Sequence, residues 1–505
     1  MSPLTRREAL REALLGAGAL ALAGCGASAP APSGSTLRST WVDPVGDGQL
    51  RVGPGEPLAD RTELGGRAAR VGVLATLAHL TDAHVLDASS PARVTFLNRL
   101  GPPFQSTFRP QEALTAQVLA GAAETIRRLR PQLVIQGGDL IDNAQSNELT
   151  HALSVLSGGP VRPGSGPDGY YGVQSAFNPD PFYYRPDVDA PRHPGLLRAA
   201  VRPLRSPGLG VPTIPVLGDH DTLVAGEIVA TPLTRSLAVG GRALWELPSG
   251  LAVPRSALPA AGASPDGPPS PGPIDGFLRQ ALAGATVAVP ADPARRELAV
   301  GEVVGRLARS APATPGGVGA AERLDYALDL GLRLRVIVLD LVRREGGSGG
   351  LVSAGQPAWL ERQLRAASGR WVIVVSHQPL ASSAGGERLL ELLDASPSVI
   401  AALSGHTHRN RIEPRRTAAG GYWLISTASL IDYPQQARAV RVLATAGGGV
   451  AIQTWMLDHS YPGGLGTIAR ELAYLDAQGG RPTGFAGNRL DRNVTLYRDA
   501  RTSVR

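Results

Sequence analysis

Leu133-Val134-Ile135-Gln136-Gly137-Gly138-Asp139-Leu140-Ile141-Asp142 is the stretch on which the fold turns. Its short apolar run has no polar face, which suits a strand buried on both sides. Two glycines then break the run, and acidic residues follow just past the carboxyl end. The same grammar recurs. Residues 71–80 end in Thr81-Asp82-Ala83-His84, and 213–217 in Gly218-Asp219-His220-Asp221. Residues 334–339 end in Asp340, 371–375 in Ser376-His377-Gln378, and 399–403 in Ser404-Gly405-His406-Thr407-His408. Between the first two runs, residues 111–130 place Leu114, Val118, Ala122, Ile126 and Leu129 at steps of four or three, one face of a helix. Strand, helix, strand implies a right-handed crossover and parallel neighbours. Open sheets of this kind take ligands beyond the carboxyl ends of their strands. Five of the six strand ends carry His or Asp in close groups, so the sequence predicts their convergence on one sheet edge.

Composition narrows the chemistry. The 505 residues are 43% apolar, too many for general disorder and enough for one large domain or two ordinary ones. Every basic residue is Arg, the formal net charge is +7 and the pI is about 9.9. The arginines are scattered without a long run, which reads as compositional bias rather than a nucleic-acid surface. The single cysteine, Cys25, excludes an internal disulfide framework. Of nine histidines, five sit in the strand-end motifs: His84, His220, His377, His406 and His408. Asp and His donors without thiolate suit Zn, Mn or Fe. Asp82, His84, Asp139, Asp219, His377, His406 and His408 make seven candidates, where one tetrahedral ion needs four. Two ions ~3.5–4 Å apart could share one carboxylate, acidify a bridging water and clamp both oxygens of an in-line displacement.

The motif order is more specific than its parts. Asp82-Ala83-His84, Gly138-Asp139-Leu140-Ile141-Asp142, Gly218-Asp219-His220-Asp221, His377 and Gly405-His406-Thr407-His408 follow one another over residues 82–408. This order, D-x-H, G-D-x-x-D, G-N-H-[DE], H, G-H-x-H, resembles that of the calcineurin-like metallophosphoesterases. The long spacers and export signal are similar to an exported bacterial branch of that family. The resemblance implies an α+β fold, a four-layer α/β/β/α sandwich of two mixed sheets flanked by helices. It implies that Asp82, His84 and His408 hold a first metal, that Asp139 bridges, and that Asp219, His377 and His406 complete a second site. His220 would contact the phosphate or protonate the leaving oxygen, with Asp221 orienting its ring. The alternative reading of Asp221 is a loop or helix N-cap. Asp142 reads as a hydrogen-bonder rather than a ligand, and Asp340 as structural or as a residue behind the ligands.

The implied activity is hydrolysis of phosphate mono- or diesters by attack of a metal-bridging hydroxide, with two ions of Mn, Zn or Fe as cofactors. Two rivals remain at this level. One is an envelope-anchored binding lipoprotein with a degenerate site, and the other a nuclease acting on exported nucleic acid. Asp219 departs from the family's usual Asn. The added negative charge is expected to tighten metal binding and to favour diesters over dianionic monoesters.

The flanks and spacers read separately. Residues 1–25 resemble an export signal: Arg6-Arg7 precedes an apolar run, residues 13–23, as in twin-arginine signals. Leu22-Ala23-Gly24-Cys25 resembles a lipoprotein box, with Cys25 as the lipidated residue. The expected location is the outer face of the cytoplasmic membrane or the cell envelope. The membrane and a phosphate-ester substrate are the expected partners, without nucleic acid or an obligate protein. Residues 26–66, rich in Ala, Pro, Gly and Ser, read as a tether and loosely ordered approach. The catalytic domain is placed at 67–457, with inserts at about 158–205 and 240–330. The first insert holds Tyr170, Tyr171, Phe177, Phe182, Tyr183 and Tyr184, read either as a lid beside the metals or as a satellite core anchoring a loop. Pro254 to Pro273 reads as a mobile excursion. The polar run from Asp142 to Glu148 reads either as a substrate contact or as the start of a helix. Residues 458–505 carry no motif and are set apart as a C-terminal extension.

Overall fold

A run of residues with no polar face must be covered twice, and the predicted strands lie inside two large mixed sheets. The computed structural model describes residues 34–100, 107–246, 250–251, 271–309, 322–478 and 484–500. Cys25 and the signal-like segment, with most of 254–273, lie outside the described residues.

The first sheet has seven strands, in the order Ala59–Leu64, Val494–Arg498, Val450–Asp458, Gln436–Thr445, Arg70–Leu80, Leu133–Gln136 and Thr213–Pro215. The last three are parallel to one another, and Gln436–Thr445 runs antiparallel to Arg70–Leu80. The second sheet has six, in the order Tyr326–Leu330, Leu334–Leu339, Trp371–Ser376, Val399–Ser404, Tyr422–Ser426 and Arg411–Arg415. Its four inner strands are parallel. All six expected strands are present, with ends within two residues of those read from sequence.

Period-two alternation shows how the layers stack. Val336 and Val338, with Ile373 and Val375, enter the core shared with Leu77, Leu80 and Val134 of the first sheet. Ile337 and Leu339, with Val372 and Val374, face the other way, onto Trp359 and Leu360 of the helix Gln356–Arg365 and Leu389 and Leu393 of the helix Gly386–Asp394. On the far side, the helix Thr115–Leu129 buries Val118, Leu119, Ala122 and Ile126, packing on the strand Val450–Asp458 and on its neighbours Ser146–Ser157 and Gly464–Gln478. The result is helix, sheet, sheet, helix, as expected.

Two stretches differ from the sequence reading. Residues 34–66, expected to be loosely ordered, hold a hairpin, Ser39–Val42 with Arg51–Pro54, and the edge strand Ala59–Leu64. Thr36 anchors the approach through its hydroxyl, which lies 2.9 Å from both the Met456 carbonyl and the Asn493 side-chain oxygen, either of which can accept its one proton. The C-terminal extension supplies the strand Val494–Arg498, inserted between Ala59–Leu64 and Val450–Asp458. Val494 and Leu496 are fully buried there. Short alternating strands with little turn punctuation carry a weak local signal, and Ala59–Leu64 finds its partner, Val494–Arg498, more than four hundred residues away.

Within the first insert, Tyr183 is buried against Phe108 and Phe182, and its hydroxyl donates to the Trp245 carbonyl. The aromatic cluster is thus a satellite core at these residues, while Phe177 stands exposed.

Candidate metal centre

Each strand stops where its backbone leaves the extended region. Asp82, His84, Asp139, His406 and His408 all have left-handed φ, between 43° and 64°. Such conformations cost of order 1–3 kcal/mol each and persist only where surrounding contacts over-determine them. The glycines of the motifs allow the chain to pass close by. Gly138 has φ +96°, and a Cβ there would collide with the His377 ring; one on Gly218 would collide with Asp139.

Seven side chains from the two sheets meet in two groups. One donor atom from each of Asp139, Asp219, His377 and His406 lies within 4.8 Å of the others, and the same holds for Asp82, His84 and His408. His377 Nε2 is 3.1 Å from Asp139 Oδ2, 3.3 Å from Asp219 Oδ1 and 3.8 Å from Asp82 Oδ1. His406 Nδ1 is 3.3 Å from Asp219 Oδ1. In the other group, His408 Nε2 is 3.3 Å from both Asp82 Oδ1 and His84 Nε2. Asp139 Oδ2 also lies 3.7 Å from His84 Nε2, so a single oxygen faces both groups.

The ring nitrogens test whether these residues suit cations. His377 Nδ1 donates to the Gly137 carbonyl at 2.8 Å, which leaves Nε2 as a lone pair; that atom is buried without a hydrogen-bond partner. His84 Nδ1 lies 3.0 Å from Asp142 Oδ1, and His408 Nδ1 2.5 Å from Asp432 Oδ2. Both Nε2 lone pairs therefore point toward one another and toward carboxylates. Such a donor set fits a cation between the rings. Without one, the carboxylates act on the rings alone: burial disfavours a charged His377, but Asp139 and Asp82 outweigh it and hold the ring well above its ordinary pKa.

His220 adjoins this cluster without belonging to either group. Its ring centroid is 4.4 Å from that of His84, and Nε2 is 4.0 Å from Asp219 Oδ2. Nδ1 donates to the Asp142 carbonyl at 2.8 Å, with the Asp142 carboxylate at 3.5 Å. Burial lowers its pKa, yet the Asp139 charge and the Asp142 contact raise it to about 10.

Asp221 does not orient that ring. Its carboxylate accepts from the backbone N–H groups of Leu140, Ile141 and Gly218, at 2.9, 3.2 and 2.9 Å. It ties two strand-end loops together, which is the capping alternative, and Asp142 takes the orienting role. Asp142 sits between His84 and His220 as a hydrogen-bonder. The polar run after it mainly starts the helix Ser146–Ser157, since Glu148 accepts from the backbone of Asp87, Asp142 and Asn143. Asp340 is structural, accepting from the Leu324 and Val342 backbone and pairing with Arg344.

Sequence reasoning missed two residues here. Asp432 holds His408 and is itself held by Arg109, whose Nε donates at 2.7 Å. A signal was present, because Asp432 follows the apolar strand Tyr422–Ser426 as the other acids follow theirs. Gln378, the residue after His377, donates from Nε2 to Asp219 Oδ1 at 2.9 Å. A glutamine after a histidine carries no comparable signal.

No family model matches the sequence, and no curated protein matches it significantly. Among solved structures, the chain is similar to a dimetal phosphatase from Danio rerio, with 13% identity and a TM-score of 0.41, over 77% of this chain and 100% of that one. It is similar to PhoD, with 10% identity and a TM-score of 0.34, over 86% and 81% of the two chains. It is also similar to a purple acid phosphatase from yellow lupin seeds, with 11% identity and a TM-score of 0.34, over 89% and 57%.

Proposed function

We propose that this chain is a two-metal phosphoesterase of the calcineurin-like type. One observation carries the reading: Asp139 Oδ2 faces both donor groups, as a carboxylate shared by two ions would. Asp82, His84 and His408 would hold one ion, Asp219, His377 and His406 the other, with Mn, Zn or Fe suited to such donors. A bound pair supplies Lewis acidity toward phosphoryl oxygens and a more acidic water.

The chain's own residues do the remaining work. His220 has Nδ1 committed to a carbonyl, so Nε2 is the atom left to meet a phosphoryl oxygen or to give a proton to the leaving oxygen. Asp142 keeps that ring in place. Asp219 makes three carboxylates around the centre with Asp82 and Asp139, so a dianionic monoester meets more repulsion than a monoanionic diester. The reading therefore favours diesters.

The test uses the full chain, stripped with chelator and reloaded with Mn²⁺, on bis(p-nitrophenyl) phosphate and p-nitrophenyl phosphate. Hydrolysis is expected only after reloading and is lost in Asp139→Asn. Two bound equivalents with no hydrolysis of any ester would overturn it in favour of a binding protein. In Asp219→Asn, the monoester-to-diester ratio of kcat/KM is expected to rise; an unchanged ratio removes the charge argument. We also propose export and lipid anchoring at Cys25. On that reading Cys25→Ser should move the protein from the membrane fraction to the soluble one; among the described residues no helix is long and apolar enough to cross a membrane.

A further inference from the structure

A cavity of about 450 Å³ lies on the same edge of the first sheet as the metal centre. Gln436 and Asp458 line it, paired where the strands Gln436–Thr445 and Val450–Asp458 meet. Two of its wall segments continue directly from residues that touch His408. Tyr433 follows Asp432, and Ala486 follows Phe485, whose ring centroid is 6.0 Å from that of His408. Trp41, from the N-terminal hairpin, closes the other side.

The charges in this cavity are unevenly matched. Arg492 is satisfied, with its guanidinium on both oxygens of Glu56 at 2.7 and 3.0 Å. Asp458 accepts from the Gln436 amide at 2.7 Å. Arg470 is only 5% exposed, yet among the described residues no ion pair joins it to a carboxylate. Its Nη2 donates to the His459 carbonyl at 2.9 Å, its guanidinium lies 4.5 Å over the Trp41 ring, and its Nε has no partner. Arg489 is nearly half exposed and reaches Glu56 only at 3.8 Å, beyond hydrogen-bonding distance. Asp458 offsets this buried guanidinium only from beyond ion-pair distance, so its desolvation is incompletely compensated, and an anion in the adjoining space would reduce that cost.

We propose that this cavity is a binding site for a small organic acid, whose carboxylate or phosphate group sits on Arg470 and Arg489. Asp458 on the same wall penalises a second negative charge, so a carboxylate or a singly charged phosphate is favoured over a phosphate dianion. Trp41 and Tyr433 supply the apolar walls for the carbon skeleton. The proposal is independent of turnover at the metal centre.

Calorimetric titration of chelator-treated full chain keeps the metal centre out of the measurement. The probes are benzoate, acetate and inorganic phosphate. One equivalent of benzoate is expected to bind, more tightly than acetate, and to change the tryptophan emission in a way that Trp41→Phe abolishes. Arg489→Ala, at an exposed position, is expected to weaken binding about ten-fold, the scale of a lost charge-assisted contact. Arg470→Met is expected to abolish it, with circular dichroism checking the fold. Tighter binding of phosphate than of benzoate would identify a phosphate group as the natural anion; the reverse order, a carboxylate. No heat from any of the three anions at ~10 mM, an affinity worth under about 3 kcal/mol, or a benzoate affinity unchanged by Arg489→Ala, overturns the proposal.

Discussion

Asp432 shows what a single residue adds behind a candidate ligand. Its carboxylate takes the His408 Nδ1 hydrogen and is anchored by Arg109, so His408 presents Nε2 toward Asp82. Loss of such a partner typically costs 10- to 100-fold in metal affinity. Asp432→Asn should therefore weaken one of two bound equivalents and leave the other, since His377 and His406 have different supports. Metal titration with two resolved sites checks this; equal weakening of both would show a general loss of structure. Glu297 tests a residue away from the centre. Burial raises its carboxyl from 4.5 to about 7, with the Thr234 hydroxyl bond and Arg235 acting the other way. The folded chain thus keeps a proton that the unfolded chain gives up. Glu297's contribution is full below pH 4.5 and is lost as pH rises toward 7. Glu297→Gln removes that loss, so thermal unfolding should show the variant gaining on the parent between pH 5 and pH 8.

Strand-end loops were legible as elements because their signals are local: an apolar run, a glycine, then His or Asp within a few residues. The strand Val494–Arg498 was not, since nothing in its own five residues says that it lies between two others. Its burial makes a firm expectation. Leu496→Ala should cost about 2–5 kcal/mol, read from denaturant midpoints, whereas substitution in a detached tail would cost nothing measurable. The aromatic run in the first insert follows the same rule. Composition marked a cluster, and only Phe108 and Trp245, distant in sequence, made it a satellite core.

At the scale of the molecule, the candidate centre lies across the seam of the two sheets. Asp82, His84, Asp139 and Asp219 leave strands of the first sheet, while His377, His406 and His408 leave strands of the second. Ions held there would join the two halves of the sandwich. Metal loading should raise the unfolding temperature, by the equivalent of about 2.7 kcal/mol for one site at a hundred times its Kd. Chelator should reverse the rise, and Asp139→Asn should abolish most of it. A melting temperature indifferent to metal would mean that the two groups do not bind across the seam.

The sequence by itself determined the apolar runs, their punctuation and the seven donors at their ends, because side-chain periodicity and turn chemistry act over a few residues. Tertiary structure alone decided that Asp142 rather than Asp221 orients His220, and that Asp432 reaches Arg109 across 323 positions. It also drew the strand Ala59–Leu64 and the last strand into the first sheet. Those outcomes rest on which groups become neighbours once the core closes, and contact between distant segments leaves no periodic trace in either one.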